Sequence, residues 1–295
     1  MSLTPADSRA GLRAALETRL GAGDALNWLD ARSAEDLDAV RHAMADIGRV
    51  MGKKPLIAGF GSRDSATLDG VYGSMRVGSW RCDEAARTLL LATVADRSDT
   101  PHDVLFGLYD LGDTDTRVGA LHALNFVAEV DTDRGMELVL DAGRTYLDPL
   151  LTAAWCDNPF SARFMTDEAY RGALLKALFC NVPVDGFLGL EERADPDMAK
   201  SLYDYADERE AAGRHVPATV WIVAALHPRP GLVARLIGRI EHPLPAERVV
   251  AARALANARD PRAASFIDER LSRETDPEVQ AALKAAAAAT AEAAR

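Results

Sequence analysis

The sequence predicts an all-α protein, and three observations carry that expectation. Apolar residues recur at helical spacing in nearly every segment, alternating strand-like stretches are almost absent, and Asp-Pro pairs punctuate the chain as helix starts. Taken in chain order, the first strong start is Asp83-Glu84, where free backbone N–H groups and the helix dipole favour negative charge. Val118, Leu121, Leu124 and Val127 then return every third residue, as on one helix face. Between Asn158 and Trp221 three helical segments are set off by Pro159, Pro183, Pro196 and Pro217. Gly213 marks a stop there, because Pro217 behind it cannot continue a helix. At Asp195-Pro196, Asp260-Pro261 and Asp276-Pro277 a capping carboxylate precedes a proline suited to the first helical position.

One stretch departs from this pattern. Residues 48–79 hold Gly48, Gly52, Gly59, Gly61, Gly70, Gly73 and Gly78, a third of the chain's 21 glycines. That density predicts a glycine-rich loop insertion, an irregular connection that lines a site or runs free of the fold.

Composition narrows the function. Of 295 residues, 48% are hydrophobic and 27% charged, and 45 acidic against 34 basic side chains give a net charge of −11. A surface of that sign repels the phosphate backbone, so no nucleic-acid partner is expected. Cys82, Cys156 and Cys180 are odd in number and form no C-x-x-C pair, which fits a reducing cytoplasm. The N-terminal stretch lacks the apolar core of a signal peptide, and no uncharged apolar run approaches the ~18 residues of a membrane span. His42, His102, His122, His215, His227 and His242 make no paired helical motif, so no metal site is expected. Gly59 and Gly61 lack the third glycine of a dinucleotide fingerprint, and no cofactor is expected.

Two features point toward a site. Lys176 sits inside the apolar run GALLKALF, where an ammonium must find a partner, reach water or lose its proton. The acidic helix around Asp204 places Tyr205 and Arg209 where they either face solvent or point toward a ligand.

Residues 246–295, with ERVVAARALANARDPRAASFIDERL and DPEVQAALKAA, resemble HEAT-type helix–turn–helix repeats. Such units cannot bury their apolar face alone, which implies stacking of antiparallel helix pairs into an α-solenoid, a single repeat domain over residues 1–295. The segments GSWRCDEAARTLLL, LYDLGDTDTRVGALHAL, DAGRTY, Asn158-Pro159-Phe160, LLKALF, VPVDGFLGLEER and DYADEREAAGRHVP are similar to the EboA family, over roughly Trp80 to Trp221. The chain departs from that pattern at Tyr146 and at Arg171-Gly172, where amide side chains are expected. Residues that do match are Arg117, Arg144, Asn158, Lys176, Arg193, Asp204, Arg209 and Trp221, which the resemblance makes ligand-binding candidates. It also implies a setting: bacterial gene clusters for a secondary metabolite, with a UbiA-type prenyltransferase and a sugar-phosphate-cyclase-like enzyme.

The expected function is therefore a non-catalytic binding or scaffold protein, holding a small molecule or a partner protein of such a pathway. The alternatives are an enzyme using Lys176 and nearby carboxylates as acid–base groups, and a nucleic-acid-binding HEAT-like protein. A ligand pocket is expected among the helices carrying Arg144, Asn158, Lys176 and Arg209, close to the glycine-rich loop.

Overall fold

A computed structural model describes residues 4–59, 66–127 and 130–295, and these are predominantly helical, as the periodicity predicts. The chain divides into two compact units, Met1–Leu188 and Gly189–Arg295. No helix among the described residues is long and apolar enough to cross a membrane.

The first unit opens with α1 (Pro5–Leu20), α2 (Asp24–Ser33) and α3 (Leu37–Met51). A hairpin of β1 (Thr67–Gly70) and β2 (Gly73–Arg76) follows. Next come α4 (Cys82–Ala95), α5 (Pro101–Asp110), α6 (Thr114–Ala123), α7 (Thr132–Arg144) and α8 (Asp148–Trp155). The short α9 (Pro159–Phe164), then α10 (Asp167–Cys180), complete the helices of the unit.

Helix α4 is its centre. It packs against α1, α2, α3, α5 and α6, and residues on all its sides are buried, which suits its richness in alanine and leucine. Gly119 explains the close approach of α6: a Cβ there would lie 3.0 Å from Cβ of Arg87 and 3.1 Å from Cδ1 of Leu91. Val118, Leu121, Leu124 and Val127 are all buried, but so is every residue from 118 to 127 and α6 ends at Ala123, so the threefold spacing does not mark one helix face.

The described residues of the glycine-rich stretch include a helix end and a hairpin. Gly48 belongs to α3, and the antiparallel hairpin pairs Leu68 with Met75, leaving Met75 and Val77 in the core. Gly70 is needed for contact with the helices, since a Cβ there would lie 2.6 Å from the carbonyl oxygen of Asn125. The amide of Val71 donates to that same oxygen at 2.8 Å. Residues 60–65 of the stretch, including Gly61, lie outside the described residues.

The second unit comprises α11 (Pro196–Ala211), α12 (Ala218–Ala224), α13 (Leu232–Arg239), α14 (Pro245–Ala258), α15 (Ala264–Arg273) and α16 (Pro277–Ala293). Here α14 is central, packing on α12, α13 and α16 through buried Ala251, Ala252, Ala254 and Leu255. All three Asp-Pro starts behave as caps: Asp195, Asp260 and Asp276 accept from the backbone amides of Met198, Arg262 and Val279. Between α14 and the end of α15, Arg248 grips Glu274 with two bonds of 2.8 and 3.0 Å, and Arg270 adds a third at 2.6 Å. The Arg248 bond is the main cause that brings the Glu274 carboxyl down to about 2, although its side chain is 1% exposed.

Candidate functional site

The first unit carries a cleft of about 360 Å³ at the amino-terminal end of α4, within the size range of small-molecule sites. Three helices build it. The α4 start supplies Arg81, Glu84 and Arg87; α6 supplies Asp115, Val118 and His122; α8 supplies Asp148 and Thr152. Trp80 precedes α4, and Arg76 reaches in from the end of β2.

On its wall the Trp80 and His122 rings stack at 4.3 Å between centroids, only 14° from parallel. The His122 Nδ1 lies 3.6 Å from Oε1 of Glu84. Burial drops the imidazole to about 3, so it is neutral at physiological pH. Burial lifts the Glu84 carboxyl to about 7, against the opposing backbone amide of Arg81 in the capping box. Two polar groups of one wall are thus neutral or near-neutral because they are dry.

The other side of the α4 start is fully ionic. Asp83 is completely buried and accepts from Arg81 at 2.9 and 3.2 Å and from Arg87 at 2.9 Å. Burial opposes its ionisation, but the two guanidinium groups prevail and hold it below the ordinary carboxylate value. Asp115 extends the network, 3.6 Å from Arg81 and 3.8 Å from Arg87. Arg76 bonds Asp157 at 2.6 Å, and Asp157 holds a left-handed backbone (φ 51°), which Asp tolerates better than most residues. Burial nonetheless leaves the Asp157 carboxyl raised, and it pushes the neighbouring Cys156 thiol up to about 12.

The residues expected from sequence fall elsewhere. Arg117 binds the carbonyls of Tyr109, Asp110 and Gly112, closing the end of α5. Asn158 is fully buried: its Oδ1 accepts from Asn125 at 2.9 Å and caps α9 at Ser161, while its Nδ2 donates to the Ala153 carbonyl at 2.8 Å. Neither lines the cleft.

Arg144 and Lys176 do come together, along a smaller groove of about 280 Å³ that also includes Trp155. Lys176 donates to the Gly143 carbonyl at 2.7 Å, and its ammonium lies 4.4 Å from the Tyr146 ring centroid. Its partners are therefore the end of helix α7 and an aromatic face, and Tyr146 stands where an amide was expected. Arg144 is largely exposed and sits 4.0 Å from Asp141.

The remaining four belong to the second unit. Arg193 is half-buried, and Asp204 lies 3.9 Å from Arg229. Arg209 donates to the His215 carbonyl at 3.0 Å and lies 5.8 Å from the Tyr205 ring. Trp221 is fully buried, with the guanidinium carbons of Arg235 and Arg239 at 4.7 and 4.6 Å from its ring.

Sequence reasoning passed over Trp80, Glu84, Arg87 and His122 as site residues. A signal existed: Arg87 lies inside the apolar run AARTLLLA, just as Lys176 lies inside GALLKALF. Glu84 reads locally as a helix start and His122 as an isolated histidine, and both readings are locally correct. Among the described residues no group of three or more His, Cys, Asp or Glu is arranged to hold a metal ion.

No curated protein and no solved structure matches this chain. A family model described as "Metabolite traffic protein EboA" matches residues 10–225, extending well before the Trp80 boundary read from the motifs and covering every residue that lines the cleft. The chain belongs to the EboA family.

Proposed function

We propose that this protein is a non-catalytic carrier that holds a small metabolite in the cleft walled by Trp80, Glu84 and His122, within a bacterial pathway of secondary metabolism. One observation carries the reading: a concave cleft of about 360 Å³ walled by a largely buried Glu84–His122 pair, with Trp80 stacked on the imidazole. The family description, metabolite traffic, supports it. The ionic half of the wall supports holding more than chemistry, because guanidinium and carboxylate groups there already satisfy one another and form a fixed polar surface.

The test is retention. Purified chain is denatured, and the released small molecules are identified by mass spectrometry. A Thr152→Trp variant, made at an exposed wall position, fills the cleft. Wild type is expected to release a defined molecule and the variant none, with equal helix content. Equal release from both, or none from either, removes the proposal.

An acid–base enzyme is favoured by one observation, the Glu84 carboxyl held at about 7 beside a neutral imidazole. That chemistry would sit at Glu84 and not at Lys176, which is tied to a carbonyl. Turnover of the retained molecule by the purified chain would separate it from a carrier.

HEAT-like pairing of the last helices is supported by the packing of α14 against α12, α13 and α16. A cytoplasmic setting is supported by three cysteines that are widely spaced and odd in number.

A further inference from the structure

We propose that the cleft takes an uncharged, hydroxyl-bearing molecule, and that Glu84 and His122 together form the station that hydrogen-bonds one of its hydroxyl groups. The proposal rests on the small-molecule reading given above.

Charge balance is the first support. Arg76 is bonded to Asp157 at 2.6 Å, and Arg81 and Arg87 each to Asp83 at 2.9 Å. A phosphate or carboxylate entering the cleft meets cations whose charge is already matched, with Asp115 and Asp148 on the same wall. A protonated amine meets three guanidinium groups. A charged ligand gives up its hydration and needs an unmatched opposite charge in return; the wall offers an anion only guanidinium groups that are already paired, and it offers a cation the exposed Asp148 beside three guanidinium groups.

The second support is the geometry of the pair. His122 is 5% exposed, and its Nδ1 is buried with no hydrogen-bond partner, facing Glu84 at 3.6 Å. With that edge turned inward, the Nε2 edge is the one the ring contributes to the cleft. A neutral imidazole has one donor and one acceptor nitrogen. If the 3.6 Å gap closes, a protonated Glu84 would donate its O–H to Nδ1 and leave Nε2–H to donate outward, whereas an ionised Glu84 would accept from Nδ1–H and leave Nε2 to accept from the cleft. A hydroxyl both donates and accepts, so it satisfies either state, whereas an ammonium only donates and a phosphate dianion only accepts.

The carboxyl near 7 makes both states accessible around neutrality. The charges that act on Glu84 are Arg81 and Asp83 at the start of α4 and Asp115 of α6, while Arg87 and Asp148 line the same cleft. Arg19 of α1 and Lys54 act on the adjacent Cys82.

Three probes of one ring shape test this: glucose, glucosamine as the ammonium, and glucose 6-phosphate. Each is titrated into the full chain while the imidazole resonances of His122 and the indole resonance of Trp80 are followed. Glucose is expected to shift both saturably and to bind about tenfold or more tightly than either charged sugar, the value of roughly one hydrogen bond. His122→Phe keeps the stack and removes both nitrogens, and is expected to weaken glucose binding by about the same factor at an unchanged melting temperature. Tighter binding of either charged sugar, unaltered glucose binding by the variant, or no shift with any probe overturns the proposal. If the variant does not fold, the comparison of the three probes on the native chain decides alone. Should these outcomes fail while the Thr152→Trp retention test succeeds, the small-molecule reading stands and only the ligand class falls.

Discussion

The imidazole of His122 lies flat against the indole of Trp80, 4.3 Å away and 14° from parallel, and its Nδ1 edge meets Glu84 at 3.6 Å. The stack buries one face of the histidine, and helix packing buries most of the rest. What remains is a neutral ring and a carboxyl that resists ionisation, with consequences for stability and pH.

For Glu84 the folded-state value of about 7 stands above its ordinary 4.5, so its contribution is fully present below about pH 4.5 and is lost as pH rises through 7. Glu84→Gln should remove that slope and raise unfolding free energy at pH 8 by about 1–3 kcal/mol. His122 acts in the opposite sense: its value of about 3, below the ordinary 6.5, gives stability that is full above about pH 6.5 and lost as pH falls toward 3. Denaturant melts of both chains from pH 5 to 8 check this. Parallel curves for wild type and variant would contradict it.

In the second unit the sign reverses for a carboxylate. Glu274, held at about 2 against an ordinary 4.5, contributes stability above about pH 4.5 that is lost as pH falls through 2. Glu274→Gln leaves Arg248 buried without its charge partner, and should cost about 3–5 kcal/mol at pH 7. The variant should also show a flatter acid limb in its melting temperature.

Gly70→Ala places a methyl 2.6 Å from a backbone oxygen, that of Asn125, which cannot rotate away. The hairpin must lift from the helices, at a cost of about 1–3 kcal/mol. Hydrogen exchange at the Val71 amide reports it directly, because that amide bonds the same oxygen. Unchanged protection there would show the contact to be looser than described.

Lys176→Met removes a hydrogen bond to the Gly143 carbonyl and an aromatic contact, and it leaves no buried carboxylate behind. The expected loss is about 1–2 kcal/mol, below the 3–5 kcal/mol of a broken buried ion pair. A thermal melt separates the two.

Helical periodicity and the Asp-Pro caps were determined by the sequence itself, because they depend on residues within a turn or two of each other. The same holds for Asp83-Glu84 as a helix start. Partnerships were not legible in that way. Arg76 meets Asp157 across 81 positions, and Asn158 is consumed by Asn125 and the α9 cap, although its motif marked it for a ligand. Lys176 stood out as an ammonium that must find a partner, reach water or lose its proton, and only packing could supply the helix-end carbonyl that it meets. The cleft itself arises where α4, α6 and α8 converge, and its unusual protonation follows from burial. Burial is a property of the packed chain: no local pattern distinguishes a Glu84 that caps a helix in water from one that does so against Trp80 and His122.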